Sequence, residues 1–443
     1  MVKSLISKPV NTVEELKAAL HDAVLIEYMF TNPAGVLFSM NEHVSRAVSN
    51  FESGLGVDGS SIPGFTSIEC SDVLLESKGE CFFYNPETKI ASVFCHVSDY
   101  KTRLPLKNDP RTLLKNICAE YNAMGLYPVT FSELEFYLIG KEISAESTYL
   151  RYPSNTGMQL ASEIRRSAAL QMIDDGVAVR REHAECGSGH VEGTDLNCIQ
   201  SEIELFLQEA CKTCDDTLKG KYLISQIAAQ RGVVADFMPK PYPNIAGSGL
   251  HFHMRLNNKD GENLMTYTDA YAKLRPEDKG QLGQFNQIGS SFIAGILKYS
   301  RDITSIFGAF SEQTYQRLGK SEAPVWTFWG QANRAAILRQ PSTGPKDIRI
   351  EFRAGDFSGS PHLLTASFLA AGLDGIKQNL QCPAPYNGNI AKCTHEELEA
   401  LGIKRLPTSL AEGKKILAES EFALKVLGEG LRGYLVHPVA GHE

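Results

Sequence analysis

The sequence predicts an α+β protein, with a small mixed domain over residues 1–105 and a larger domain of helices and strands over residues 106–443. Three observations predict it. Short strand-like runs crowd the first hundred residues. A polar stretch, Ser98–Asp109, reads as a linker. Beyond it, long helical patterns mix with isolated strands, without the regular strand–helix alternation of a β/α barrel. At 443 residues and 43% hydrophobic, the chain is too long for one small domain and has ample material for buried cores.

Each element has a local reason. Val13–Leu20 has the spacing of a short helix. Val24–Phe30 and Val36–Ser39 read as strands joined through Asn32-Pro33-Ala34-Gly35, and Glu80–Tyr84 and Ile90–Cys95 read as a second pair. Asp109 followed by Pro110 is a helix start, with Asp as N-cap and Pro in the first turn. The run SEIELFLQEACKTCDD, Ser201–Asp216, reads as helical. It carries Cys211 and Cys214, a CxxC with neither the second ligand pair of a zinc site nor the preceding strand of a redox motif. Both are read as ordinary helix cysteines.

Bulk properties exclude several classes. The net charge is −8, and no basic face of a nucleic-acid binder is visible. No apolar stretch reaches membrane-spanning length, and the N-terminal MVKSLISKPV lacks a signal core. Ten scattered cysteines without a framework spacing suggest reduced thiols and a cytoplasmic protein.

The informative pattern is a strand with an ionic front, and it recurs four times. Side chains alternate faces along a strand. In Val129–Ile139, Glu133 and Glu135 share a face opposite Leu134, Phe136 and Leu138. In Leu250–Leu256, His251, His253 and Arg255 share a face; in Ile348–Arg353, Arg349, Glu351 and Arg353 do. Val177–Glu185 ends in His183 and Glu185, with Glu192 seven residues further on. Any one such strand could be the solvated side of an antiparallel sheet. Solvated faces favour Lys and Thr among Glu, whereas these carry Glu, His and Arg, which bind metal and phosphate with defined geometry.

Convergence of Glu133, Glu135, Glu185, Glu192 and Glu351 would gather five negative charges. Two divalent cations would offset most of them, with His251 as a neutral ligand. Oxygen-rich coordination points to Mg²⁺ or Mn²⁺ rather than zinc. Arg317, Arg334, Arg339, Arg349 and Arg353 would then neutralise phosphates and a carboxylate, an inventory suited to phosphoryl transfer. Gly247-Ser248-Gly249 precedes His251, where glycine allows close backbone approach to a ligand. Asp58-Gly59-Ser60-Ser61 by itself reads as a β-turn.

With these residues in view, the chain resembles the glutamine synthetase family from about Val13 to Tyr434. The motifs are colinear with the family's: GVDGSSIPGF (Gly56–Phe65), SELEFYLI (Ser132–Ile139), EHAECGSGHVEG (Glu182–Gly193), DFMPKPYPNIAGSGLHFH (Asp236–His253), YQRLGKSEAPV (Tyr315–Val325), NRAAILR (Asn333–Arg339), RIEFR (Arg349–Arg353) and ASFLAAGLDGIK (Ala366–Lys377). The resemblance implies a β-grasp-like N-terminal domain and a C-terminal catalytic domain with a curved antiparallel sheet flanked by helices. It implies one metal held by Glu135, Glu185 and Glu192, and another by Glu133, His251 and Glu351. His253, Arg339, Lys346 and Arg349 would contact ATP, and Arg334 would steady the phosphoryl group. Gly247, Arg317 and Arg353 would hold the acid substrate. Glu322 would sit on a flap over the site, and Asp58 would reach into a neighbouring subunit's site to help deprotonate ammonium. Family members form two stacked rings, so the resemblance implies self-association into a dodecamer of stacked rings, with no nucleic acid or membrane.

The implied reaction makes an amide from the side-chain carboxylate of glutamate and ammonia, by way of an acyl phosphate. Three positions depart from the family pattern: Ala246 where Asn is usual, His190 where the segment before Glu192 usually carries Gln, and a flap between Arg317 and Glu322 one residue shorter and without Pro-Gly. They keep open a γ-glutamyl amide ligase using methylamine, another alkylamine or a polyamine. A catalytically silent ring scaffold and a metal hydrolase are the readings from other classes. The family's adenylylation tyrosine has no counterpart at Asn389-Ile390-Ala391.

Overall fold

The computed structural model describes residues 8–143, 152, 159–277, 280, 284–319, 323–344 and 347–438. The first domain contains α1 (Val13–Leu20), β1 (Leu25–Thr31), β2 (Leu37–His43), α2 (Ala47–Ser53), β3 (Leu55–Asp58), β4 (Asp72–Glu76), β5 (Phe82–Asn85), β6 (Ile90–Phe94) and β7 (His96–Asp99). The α1 helix has the span its spacing predicts, and Thr12 and Glu15 close a capping box at its start. A four-stranded sheet runs β2-β1-β6-β5, with β1 parallel to β6, and a three-stranded sheet runs β3-β4-β7. Ile26, Tyr28 and Phe30 on β1 face Leu16, Leu20, Phe51 and Val93 in this domain's own core.

The larger domain opens with α3 (Pro110–Ala123), where Asp109 accepts from the backbone N–H groups of Arg111 and Thr112 as the sequence predicts. It continues through β8 (Tyr127–Gly140), α4 (Gln159–Asp174), β9 (Val179–His190), β10 (Asn197–Leu205), β11 (Gln208–Glu209), α5 (Ala210–Gln230), β12 (Val234–Asp236) and β13 (Leu250–Asn257). Then come α6 (Asp269–Leu274), α7 (Gln287–Lys298), α8 (Ser300–Phe307), α9 (Glu312–Arg317), β14 (Trp326–Gln331), β15 (Ala336–Gln340), β16 (Ile350–Phe352) and α10 (Pro361–Lys377). Three further helices follow between His395 and Val436. No helix among the described residues is long and apolar enough to cross a membrane.

Nine strands form one sheet in the order β14-β15-β16-β13-β8-β10-β9, with β11 and β12 also paired to β8. All pairs are antiparallel except β14 with β15. The α+β expectation holds, with a mixed edge. The 14-residue β8 is the spine. Its Leu134, Phe136 and Leu138 join Phe252, Met254, Ile350 and Phe352 in the main core, together with residues of α3, α4, α5 and α10. Tyr121 of α3 donates to Leu369 O of α10 at 2.7 Å, and Ser132 of β8 meets Thr217 of α5 at 2.7 Å. With that face sealed by helices, period-two alternation sends the charged residues to the other.

One predicted element is corrected. Ser201–Asp216 is not one helix: Ser201–Leu205 belongs to β10, and α5 starts at Ala210, where the Glu209 side chain accepts from Lys212 N–H. Glu202 and Glu204 alternate with Ile203 and Leu205, the period of a strand. Cys211 and Cys214 are free, buried thiols on α5, and Cys214 contacts Thr365 at 3.2 Å.

Candidate active site

The ionic residues meet because the strand register aligns them. On neighbouring strands His251 lies opposite Glu133, His253 opposite Glu351, and Arg339 opposite Glu351. On the other side of β8, Glu202 lies opposite Glu135 and Glu204 opposite Glu133. His183 of β9 lies opposite Glu202. The result is a band of acids, histidines and arginines across six strands.

At its centre one carboxylate oxygen each of Glu133 and Glu351 and one ring nitrogen of His251 lie within 4.8 Å of one another. His251 Nδ1 is 3.2 Å from Glu133 and 3.6 Å from Glu135. His253 Nε2 is 2.8 Å from Glu133, and its Nδ1 is 3.1 Å from Arg349 Nε. The ring also stacks on Phe131 at 4.2 Å between centroids. Arg339 donates to Glu351 at 2.7 Å, and Arg353 pairs with its other oxygen. Burial alone would raise the Glu133 carboxyl, but the charges and hydrogen bonds of His253 and His251 hold it well below the usual carboxylate range. Burial acts the same way on Glu351, and the Arg353 and His253 charges outweigh it, bringing it to about 2.

A second cluster gathers Glu185, Glu202 and His183, again within 4.8 Å. A bulge creates it: Ser201 pairs with Ala184 but Ile199 pairs with Ser188, so Glu185-Cys186-Gly187 loops out opposite Gln200. Bulges re-aim side chains beside active sites. Gly187 is required there, because a Cβ would lie 1.9 Å from the Tyr137 hydroxyl. Gln200 secures the bulge and the neighbouring loop, accepting from Gly187 N–H at 3.0 Å and donating to Glu135 at 3.2 Å and Gly247 O at 3.0 Å. Burial and the Glu135 charge push Glu185 up; burial and the Glu133 charge push Glu202 up. Carboxylates raised by one another's charge are what a divalent cation relieves. The carboxylates of both clusters therefore fit Mg²⁺ or Mn²⁺ in ligand type and burial.

Beside the clusters lies a cavity of about 370 Å³ lined by Glu135, Glu185, Lys240, Gly247, Arg317 and Arg353, among others. Arg317, the last residue of α9, is buried and donates to Gly355 O at 2.9 Å, and its Nε lacks a hydrogen-bond partner. Gly247 is fixed by contact: a Cβ would lie 2.6 Å from Arg317 Cγ and 2.5 Å from Pro239 O. Arg353 donates to Arg334 O at 3.0 Å. Arg334 is itself exposed, in the turn between β14 and β15.

The structure thus brings together Glu133, Glu135, Glu185, His251, His253, Arg317, Arg339, Arg349, Glu351, Arg353 and Gly247. Glu192 does not join them. It is exposed in the turn after β9, beyond the His190–Asn197 pair that closes the hairpin. Glu202, buried on β10, instead lies beside Glu185 and opposite Glu135. Gln200, two residues earlier, lines the neighbouring cavity, and His190 meets Asn197 at the hairpin end at 3.2 Å. The signal for Glu202 and Glu204 is the Glu-Ile-Glu-Leu alternation itself, the pattern of Glu133 and Glu135. Asp58 does not line the cavity: it ends β3, exposed, and accepts from Ser60 N–H and from the Ser60 and Ser61 hydroxyls. Those hydroxyls hold its carboxyl below the usual range. Glu322 and Lys346 lie outside the described residues.

A two-domain α+β chain with a buried cluster of metal-ready carboxylates, a row of arginines and a cavity beside them has the parts of a metal-dependent enzyme. The chain belongs to the glutamine synthetase family, whose members are ATP-dependent ligases. The family's catalytic-domain model matches residues 107–436 and its β-grasp-domain model residues 22–100. Glutamine synthetase from Pyrococcus abyssi is 31% identical over 432 residues, covering 96% of this chain and 91% of that one. Glutamine synthetase from Clostridium saccharobutylicum is 32% identical over 425 residues, covering 93% and 90%. In structure, GmaS in complex with ADP superposes with a TM-score of 0.80 at 20% identity, covering 97% of this chain and 95% of that one. Plasmodium falciparum glutamine synthetase, solved by cryo-electron microscopy, gives 0.77 at 21% identity with the same coverage. At these identities the structural likeness speaks for the fold.

Proposed function

We propose that this ligase makes glutamine from glutamate and ammonia through a γ-glutamyl phosphate. The observation that carries the reading is the meeting of Glu133, His251 and Glu351 donor atoms within 4.8 Å, flanked by Arg339 and Arg353 and opening on a cavity that holds Arg317.

Glu135, Glu185 and Glu202 would hold one divalent cation, and Glu133, His251 and Glu351 the other. Charge compensation for the attacking and leaving oxygens is what the two cations supply when bound. His253, Arg339 and Arg349, with Lys346, orient the phosphates of ATP. Arg317, Arg353 and the Gly247 backbone seat the acid. The acid's side-chain carboxylate oxygen attacks the γ-phosphorus, and the bond to the bridging oxygen breaks to release ADP. Arg334 steadies the phosphoryl group in transit. Ammonia then attacks the acyl carbon, and phosphate leaves with the C–O bond. The need for ATP is chemical: a carboxylate is a poor acylating agent, and phosphorylation supplies the leaving group. Glu322, on the segment between Arg317 and Ala323, would close over the acyl phosphate and exclude water. Assembly into rings would bring Asp58 of one subunit to the site of the next. There, ionised, it takes a proton from ammonium.

Asp58→Ala is expected to lower turnover with ammonium by on the order of 10²-fold, and turnover with hydroxylamine far less, because hydroxylamine is already neutral at pH 7. Equal losses with both amines, in a parallel phosphate-release assay, would remove the proton-accepting role. The reading as a whole is tested by measuring kcat/KM for ammonium beside methylamine, ethylamine and putrescine, with glutamate and Mg²⁺. Ammonium is expected to be the best nucleophile. A larger amine ahead of it would make the chain a γ-glutamyl amide ligase, the reading that Ala246 in the cavity wall favours.

A further inference from the structure

Three overlapping sets of donors occupy the band from β16 to β9: Glu133 with His251 and Glu351, Glu185 with His183 and Glu202, and Glu133 with Glu202 and Glu204. Glu202 belongs to two of them. A cation drawn to this band could therefore settle in more than one place, and only an arrangement that commits the Glu202 and Glu204 oxygens beforehand decides between them.

The committing contacts come from β9. Both oxygens of Glu204 are taken, one by Arg181 Nε at 2.7 Å and the other by Arg180 Nη1 at 3.0 Å. One oxygen of Glu202 is taken by His183 Nε2 at 3.0 Å, and that nitrogen also stands 3.7 Å from Glu204. The opposite nitrogen, Nδ1, is 3.1 Å from Ala184 O. Both ring nitrogens of His183 are thus engaged by protein oxygens, Nε2 at Glu202 and Nδ1 at Ala184. Arg180 is held in turn over the Phe131 ring at 5.2 Å, and the Tyr152 ring meets His183 edge-on at 5.1 Å.

We propose that His183 is a positioning residue: by donating to one Glu202 oxygen it leaves the other for a cation shared with Glu135 and Glu185, and bars the competing Glu133–Glu202–Glu204 position. The inference rests on the metal assignment proposed above for Glu202. Partners that orient metal ligands are typically worth 10–100-fold in metal affinity.

The experiment is Mn²⁺ binding to the assembled full-length protein, by titration calorimetry and by electron paramagnetic resonance with nitrogen couplings resolved. Wild type, His183→Ala and His183→Gln are compared, with thermal midpoint and assembly size checked for each. Wild type is expected to bind two Mn²⁺ per chain. In His183→Ala one of the two should weaken by about 10–100-fold, with the other unchanged and the nitrogen coupling retained. His183→Gln, which still offers one N–H to Glu202, should recover most of the loss. Identical Mn²⁺ isotherms for wild type and His183→Ala, a glutamine variant no better than alanine, or loss of a directly bound nitrogen in His183→Ala would each overturn the proposal; the last would make His183 a ligand. A wild-type protein that binds no Mn²⁺ would instead overturn the metal assignment beneath it.

Discussion

Glu202→Ala is expected to lower ATP-dependent turnover by on the order of 10³-fold, about 4 kcal/mol of transition-state stabilisation. Glu192→Ala should stay within about two-fold of wild type, as exposed surface changes usually do. The contrast follows from the hairpin. β9 and β10 pair from His190–Asn197 inward, so Glu192 lies in the turn beyond the last pair. Glu202 is five residues further along β10, roughly 17 Å from the hairpin end at strand spacing. It sits there buried opposite Glu135 and His183. Turnover measured across a range of Mg²⁺ concentrations separates the possibilities. A Glu202→Ala defect that saturating Mg²⁺ partly rescues marks a lost ligand. A severe Glu192→Ala defect at every Mg²⁺ concentration would mean that the hairpin folds differently in the working enzyme.

The second large effect concerns stability. Arg111, at the start of α3, donates to both oxygens of Asp215 on α5 at 2.9–3.2 Å and to Glu80 of the N-terminal domain at 2.7 Å. Lys115 and His96 complete the Glu80 side, and His362 of α10 reaches Asp215 at 2.9 Å. Arg111, Glu80, Asp215 and His362 are all buried. Arg111→Met leaves two carboxylates without their main cation, and breaking such a buried pair costs about 3–5 kcal/mol. Urea unfolding should show the loss. The sign of its pH dependence follows from Glu80. Burial alone would raise that carboxyl, but Arg111, His96 and Lys115 outweigh it and hold it far below the usual range. A depressed folded-state pKa stabilises fully above the unfolded value of 4.5 and loses that contribution as pH falls toward the folded value. The gap between wild type and Arg111→Met should therefore be widest near neutrality and narrow below pH 4.5. A gap that is constant from neutral to acid pH would show that Arg111 acts by packing rather than charge.

Much of this site could be read from the chain because period-two alternation is a local property. Glu133 and Glu135, His251 and His253, and Arg349, Glu351 and Arg353 each announce a strand with one ionic face; β8 and β13 carry the first two pairs, and β16 carries Glu351 with Arg349 and Arg353 at its ends. The start of α3 was readable for a similar reason, since Asp109 and Pro110 are neighbours. What escaped is what depends on distant pairing. Glu202 was hidden because Ile203, Leu205 and Leu207 run straight into the apolar positions of α5, so a strand-to-helix junction passed for one helix. Glu192 took its place because it follows Glu185 at the expected spacing, while the β9–β10 register and its bulge leave no local mark. The Glu80–Arg111–Asp215 network joins residues 31 and 104 positions apart, beyond the reach of any pattern along the chain.

The central claim is that the chain phosphorylates the side-chain carboxylate of glutamate. The most direct measurement is positional isotope exchange in ATP carrying heavy oxygen at the β–γ bridge, with Mg²⁺ and glutamate present and ammonium withheld. Reversible transfer of the γ-phosphoryl group frees the β-phosphate to rotate, so label should scramble between bridging and non-bridging positions when glutamate is added and stay in place when it is left out. No scrambling with glutamate, from an assembled protein that binds ATP, would contradict the account.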